Sequence, residues 1–593
     1  MRIRKKVVAA VLAVSLLAGC GSGSSDQTTA ATAATTAVSA SAVDGTQSAA
    51  AVLAANKTAH TAATVDTSAA AEITLAGDSA SSSADGVTID GSTVTISAAG
   101  TYRISGTLTD GQIVVNAPDA TVTLILDGVD ITSSTTAAIA ATEAGELVVQ
   151  LADGSTNRLA DTSSYAEDAD VNAALFSAGD LTVTGDGSLT VTGNGNDGIA
   201  SKDGTLIQSG TITVSAKDDG IRGKDYVVVN GGTITVTAGG DGVKADNEED
   251  ADSGYVSVAG GTLTIEAEGD GVDAVTDIVT TGGTITVTAG GGHSVQPSDD
   301  TSAKGLKSGV ITVLEGGAAS VDASDDAVHS DGAIHFAGAE VTVASGDDGV
   351  HAEGQQIVDG GSVEVTAAVE GLEAADFVLN DGTVTVTSSD DGINGAGGTS
   401  TAETGQRGGP GGGGSEVGDF SVTVNGGTLV INSEGDGLDS NGTATITGGT
   451  VVVNGPQQGG NGALDVNGSF TISGGVLLAS GSSGMVVAPG TDSPQGWLSV
   501  TLDGTVAADT TLQIVNADGD VVATYVTSKS MQNIVYSSSA ITSGEQYTVY
   551  SGGSAGGAST GGLAAEGSLG SATKVATVTA GEAPAGGGGR GPR

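Results

Sequence analysis

A repeat of about 22 residues constrains this chain more than any other feature. The strand phrase Gly-Gly-Thr-apolar-Thr-apolar occurs at 231–236, 260–265 and 282–287, with looser copies at 361–365, 382–386, 427–431 and 449–453. Between them runs a turn phrase, Asp-Gly-apolar. It begins at Asp197, Asp219, Asp241 and Asp270, then at Asp326 (with Ala327 for glycine), Asp348, Glu370, Asp391 and Asp436. The steps 197 to 219, 219 to 241 and 326 to 348 are each 22 residues. A fixed period of this length without helical periodicity predicts a β-solenoid.

One repeat can be traced through its inward residues. Val256 and Val258 alternate with polar neighbours, then Leu263, Ile265 and Ala267, then Val272 and Ala274. Three period-2 strands with glycine at the corners predict an all-β fold, a right-handed parallel β-helix with three short strands per coil of about 22 residues. A single coil cannot bury its own apolar face. Stacking at about 4.8 Å must supply the core.

The ends read differently. Arg2, Arg4, Lys5 and Lys6 precede the apolar run 7–17, too short to span a bilayer, and the segment closes Leu17-Ala18-Gly19-Cys20. That pattern resembles a bacterial lipobox. The resemblance implies a leader over 1–19, diacylation of Cys20 and an extracytoplasmic, membrane-anchored protein at the cell surface. Residues 20–70 are rich in Ser, Thr, Ala and Gly and read as a disordered tether. The β-helix is expected over 71–490, regular from about 196. A β cap with more aromatic residues follows over 491–552, then a Gly-rich disordered tail over 553–593. Two stretches interrupt the array, 292–304 and the glycine-rich 394–418. The second accounts for the doubled step from Asp391 to Asp436.

Charge narrows the partners. With 70 acidic and 19 basic residues the formal net charge is -51. Nucleic-acid binding, which needs clustered Lys and Arg against phosphate, is excluded. A polyanionic partner would need cations as a bridge. Cys20 is the single cysteine, so no disulfide forms within the chain, and a monomer is expected.

Aligned turn phrases would stack Asp197, Asp219, Asp241 and Asp270 as a ladder of like charges, each neighbouring pair repelling by roughly 1 kcal/mol in water. Calcium, which takes six to eight oxygens at about 2.3–2.6 Å, is one remedy. Asp203, Asp218, Asp225 and Asp246 add candidate oxygens. Interleaved bases are the other. The position three after each ladder acid reads Ala200, Arg222, Lys244, Asp273, so Arg222 and Lys244 are candidate counterions. The plain alternative is that the acids only fill turns by bonding local backbone. His329 and His351, one period apart, are expected to stack outside the barrel, as a solvated pair or a transition-metal site.

Other stretches carry a family resemblance. Gly100-Thr101-Tyr102, Leu126-Asp127-Gly128-Val129-Asp130-Ile131, Ala174-Leu175-Phe176-Ser177 and Asp218-Asp219-Gly220-Ile221-Arg222-Gly223-Lys224-Asp225 resemble the carbohydrate-binding β-helix lipoproteins of clostridia, first described as cellulose- and pectin-binding. The resemblance runs from about 72 to 550. It implies a polysaccharide-lyase-like fold that binds calcium and acidic or cellulosic sugars without established catalysis. The expected ligand is an acidic or plant-type polysaccharide, with Arg222, Lys224 and Lys244 as its candidate contacts. Two alternatives stay open: a calcium-dependent polysaccharide lyase using Asp218 and Asp219 with Arg222, Lys224 or Lys244, and a non-catalytic stalk or adhesin. Exposed aromatic platforms are scarce, since Trp497 is the only tryptophan.

Overall fold

The computed structural model describes residues 43–61, 67–295, 303–397 and 417–582. The expected leader and Cys20 lie outside them, as do 296–302 of one interruption, 398–416 of the other, and the last eleven residues. The protein is all-β, and 42 of the described strands belong to one sheet that is parallel almost throughout.

Each strand of the regular region pairs with the third strand after it, which generates three ladders. The first runs through Ser188–Gly193, Thr211–Ala216, Thr233–Ala238 and Thr262–Ala267, in register Leu189, Ile212, Ile234, Leu263. The second holds the short strands Asp197–Ser201, Ile221–Gly223, Val243–Ala245 and Val272–Ala274. The third holds Gly204–Ile207, Tyr226–Val229 and Tyr255–Val258. In the first ladder the pleat alternates strictly, as in Thr262–Ala267, where Leu263, Ile265 and Ala267 are buried and the residues between them exposed. The inward residues of all three ladders form one continuous apolar core from Ile73 to Trp497.

The glycine of each turn phrase is demanded by close approach between repeats. A Cβ on Gly220 would lie 2.2 Å from a methyl of Val236 and 2.5 Å from the carbonyl oxygen of Gly242. The same clash recurs at Gly242, against Ile265 and the Gly271 carbonyl. Stacking permits no side chain there.

The tether expectation for 20–70 needs correction over 43–61; residues 20–42 and 62–66 lie outside the described residues. Residues 43–61 lie across the third ladder, with a helix at Ala49–Ala55 whose N-cap is Ser48. Val43, Ala49 and Val52 pack on Val279, Ile311, Val313 and Ala333, while Leu53 and Ala59 cover Leu206, Tyr226, Val228 and Tyr255. Polar clamps fix the strap. Glu315 accepts the Ala49 N–H at 2.8 Å, Asp277 accepts from Asn56 at 2.6 Å, and His60 meets Tyr226 Oη and Thr182 Oγ1. A segment too polar to fold alone can still order against a preformed apolar face.

The expected tail over 553–593 is corrected for its described part, 553–582; the rest lies outside the described residues. Strands Ser554–Thr560, Leu563–Ser568 and Thr573–Thr579 join Thr511–Val515, Val521–Val526 and Gln546–Ser551 in a six-stranded antiparallel sheet. Backbone pairing needs no large side chains. Gly561 seats against Val430 and Val452, and Gly567 against Thr524, where larger residues would collide. The end of the parallel array is closed by Met531–Ser537, which pairs antiparallel with both Val476–Gly481 and Trp497–Val506.

Candidate functional site

Two columns of charged side chains run along the turn preceding the second ladder. One holds the turn acids. The other lies three residues on, with register neighbours Ala200, Arg222, Lys244, Asp273, Lys307, His329, His351, Glu373, Asn394, Asp439 and Asp465.

Most of the acids reach one repeat onward, while Asp197 instead accepts from Asn196 of its own turn at 2.7 Å and from Asn172 at 3.3 Å. Asp219 Oδ1 accepts the Asp241 N–H at 2.9 Å, Asp241 Oδ1 the Asp270 N–H at 2.8 Å, and Asp270 Oδ1 the Lys304 N–H at 2.8 Å. Asp391 does the same for Asp436 at 2.6 Å. The ladder therefore ties successive repeats together, and one oxygen of each of these carboxylates is spent on it.

In the first half of the column the second oxygen meets a cation. Arg222 lies 3.5 Å from Asp197 and bonds Asp246 Oδ2 through its Nε at 3.0 Å. Lys244 pairs with Asp241 and sits 3.5 Å from Asp273 and 4.0 Å from Asp219. Lys307 reaches Asp270 at 3.0 Å, and Lys304 reaches Asp326 at 2.6 Å. Asp197 is fully buried, and burial with the Asp219 charge pushes its carboxyl up to about 7 against the opposing pull of Arg222. Asp219 is pushed to about 6 mainly by burial.

From Asp348 onward the cations stop. Glu370, Glu373, Asp391, Asp436, Asp439 and Asp465 have no Lys or Arg partner within ion-pair distance among the described residues. Burial, then Glu370, raises Glu373 to about 9; burial and Asp436 raise Asp391 to about 8. Burial with Asp465 raises Asp439 to about 7. One column is thus charge-balanced in its first half and acid-rich in its second.

A hollow of about 230 Å³ opens beside the balanced half, lined by Asn172, Phe176, Ala200, Ser201, Lys202, Arg222, Lys224 and Asp246. Three of the chain's few cations converge on it. Lys202 is exposed, and no ion pair engages it among the described residues. Lys224 pairs only with the exposed Glu249, at 3.0 Å. Phe176 forms an apolar floor with Ala137, Ala140, Ala173 and Ala200. Lys202 was passed over although it stands one period of 22 residues before Lys224; both lysines follow their second-ladder strands rather than sitting in either column.

The eight expected calcium ligands do not converge. Asp197, Asp219, Asp241 and Asp270 lie along the ladder, and Asp218 projects into solvent. Asp203 and Asp225 form a separate group around Lys57 of the strap, and Asn247 also donates to Asp225. At the ladder itself bases already occupy the place a cation would take. Around the hollow the fit is better, because Asp246 Oδ1 is buried with no hydrogen-bond partner. The groups whose ligand atoms approach within 4.8 Å of one another are Asp326–His329–His351, Asp348–His351–Glu373 and Asp325–Asp326–Asp347. Of the expected sugar contacts, Arg222 and Lys224 line the hollow, and Lys244 stands one repeat away inside its ion-pair cluster. Trp497 is buried and offers no platform.

Comparison with known proteins bears on the same region. Residues 90–349 match the family model described as carbohydrate-binding domain-containing protein. Over this stretch the chain is similar to that family. The hollow and the whole balanced half of the column lie inside the matched range, whereas His351 and the acids from Glu370 onward lie beyond it. A carbohydrate-binding domain-containing protein of Acetivibrio thermocellus is 37% identical over 137 residues, or 22% of this chain and 48% of that relative. The chain therefore spans about half the length of the curated relative it matches. A solved structure, the polysaccharide lyase-like protein from C. thermocellum as its gadolinium derivative, is 37% identical. It covers 37% of this chain and 92% of its own, with a TM-score of 0.37.

Proposed function

We propose that this chain is a carbohydrate-binding protein held at the outer surface of a membrane, and that its ligand is an acidic, plant-type polysaccharide bound with the help of calcium. The observation that carries this reading is the hollow. In a chain of net charge -51, Lys202, Arg222 and Lys224 gather around one opening with an apolar floor. A uronate residue presents a carboxylate for those cations and a ring face for Phe176 and Ala200. Calcium would enter through Asp246, whose free Oδ1 can share the ion with the sugar carboxylate. Exposed hydroxyls of Thr213, Thr235, Thr264 and Thr286, stacked in the first ladder, extend a row of polar contacts for neighbouring sugars.

The proposed body is a right-handed parallel β-helix. Pairing of each strand with the third one after it supports this reading. Cys20 is the proposed anchor, supported by Leu17-Ala18-Gly19-Cys20 after a basic and apolar leader. Cells expressing Cys20→Ser are expected to lose labelled palmitate from the protein and to release it from the membrane fraction. Retained label would overturn the anchor.

The binding reading is tested by affinity electrophoresis through gels containing polygalacturonate or soluble neutral glucan. The wild-type chain is expected to be retarded by polygalacturonate alone. Lys202→Glu with Lys224→Glu, both solvent-accessible substitutions, is expected to abolish retardation without unfolding the chain. Equal migration of the wild type in both gels would sink the reading and favour a passive stalk.

A further inference from the structure

We infer that Asp348, His351 and Glu373 form a site for a first-row divalent transition metal, with zinc as its simplest occupant. The three residues come from two consecutive repeats. His351 and Glu373 are register neighbours in the second ladder, and Asp348 opens the turn just before His351. Their ligand atoms lie within 4.8 Å of one another. His351 Nδ1 and Asp348 Oδ2 are 3.0 Å apart. Two ligands held at about 2.0–2.1 Å by one tetrahedral ion stand about 3.3 Å apart, so little movement is needed to admit the ion.

Two features separate this site from the acids around it. The first is the imidazole, which favours zinc, copper or nickel over calcium and magnesium. The neighbouring triad, Asp326–His329–His351, has an imidazole too, but the Lys304 ammonium already sits 2.6 Å from Asp326. No lysine or arginine forms an ion pair with Asp348, Glu370 or Glu373 among the described residues. The second feature is an orphaned oxygen. Asn394, the register neighbour of Glu373, donates its amide to Glu370 at 2.7 Å and leaves Oδ1 buried without a partner. Two carboxylates and one imidazole thus converge without a Lys or Arg partner, and an unpartnered amide oxygen lies on the register neighbour of Glu373. The site lies past the family-matched range, which ends at 349, except for Asp348.

The test is calorimetric titration of Zn²⁺ into the full chain in excess Mg²⁺, which saturates the many oxygen-only sites. One equivalent is expected to bind. His351→Gln and Glu373→Gln should each weaken it by about tenfold or more, and His329→Gln should change it by less than about twofold. Glu373→Gln is isosteric and keeps the test valid if the histidine variant fails to fold. Co²⁺ should in addition give the visible absorption of an imidazole-ligated ion, lost in His351→Gln. Binding abolished by Mg²⁺ would overturn the inference. So would a site sensitive to His329 and indifferent to Glu373, which would place the ion in the Asp326 triad.

Discussion

Acidifying a metal-free solution of this protein from about pH 8 to about pH 5 is expected to raise its melting temperature, the reverse of ordinary acid denaturation. The acid-rich half of the column sets the sign. Burial and like charge raise Asp391 to about 8, Asp439 to about 7 and Asp436 to about 6. In the unfolded chain these groups titrate near 3.8. Between the two values the folded protein holds more protons than the unfolded one, so stability falls as pH rises through that window. Asp197, pushed to about 7 in the balanced half, adds to the same slope. Carboxyls held low in the fold, such as Asp180 and Asp331, oppose it only at the acid end, below about pH 4. The summed effect is on the order of several kcal/mol. Asp391→Asn and Asp439→Asn should each flatten the profile and raise the melting temperature at the alkaline end. A melting temperature that falls steadily from about pH 8 to about pH 5 would contradict this electrostatic picture.

Replacing Arg222 by alanine is expected to have the largest effect of any single charged substitution. It would strip the cation from Asp197, which is fully buried, and from Asp246, whose Oδ2 bonds the guanidinium. Breaking a buried pair by removing one partner costs about 3–5 kcal/mol. The Arg222 side chain is 29% exposed, so solvent screening brings the expected loss to about 2–3 kcal/mol in urea unfolding. Arg222→Lys should recover part of it. Asp246→Asn added to Arg222→Ala should recover part as well, because the orphaned charge is then gone. A loss below about 0.5 kcal/mol would mean that the pair is no more than a surface contact.

How much of this was legible in the sequence follows from which interactions are local to a repeat. Period, strand faces and the stacking of turn acids depend on residues 22 apart, and the phrase Asp-Gly-apolar displays them. The onward hydrogen bond from Asp219 to the Asp241 backbone was not legible. Neither turn chemistry nor charge spacing singles out a partner in the next repeat. Lys304 and Lys307 were hidden because the interruption at 292–304 shifts the count, although both occupy column positions once the strands are paired.

The strap over 43–61 was missed for a different reason. Its composition is that of a linker, and the signal lay in its dock. Tyr226-Val227-Val228-Val229 and Ile311-Thr312-Val313-Leu314 are buried at every position, unlike the alternating first-ladder strands. Strands buried on both faces require a cover. The three strands beyond residue 553 left no comparable trace, since their pairing rests on backbone and on glycines that fit closely against Val452 and Thr524. The hollow was half legible. Arg222 and Lys224 stood out from the repeat, and Lys202, one period of 22 residues before Lys224, was the signal passed over.

The basic hollow is proposed to bind acidic sugar with calcium as a bridge. Its most direct test is calorimetric titration of a galacturonate oligomer into the full chain, in calcium and again in chelator. Binding is expected to be saturable in calcium and markedly weaker in chelator, and Asp246→Asn should reduce it in calcium but leave it unchanged in chelator. Binding that ignores both chelator and Asp246 would remove calcium from the account. No binding in either buffer would contradict the assignment of the hollow as the sugar site.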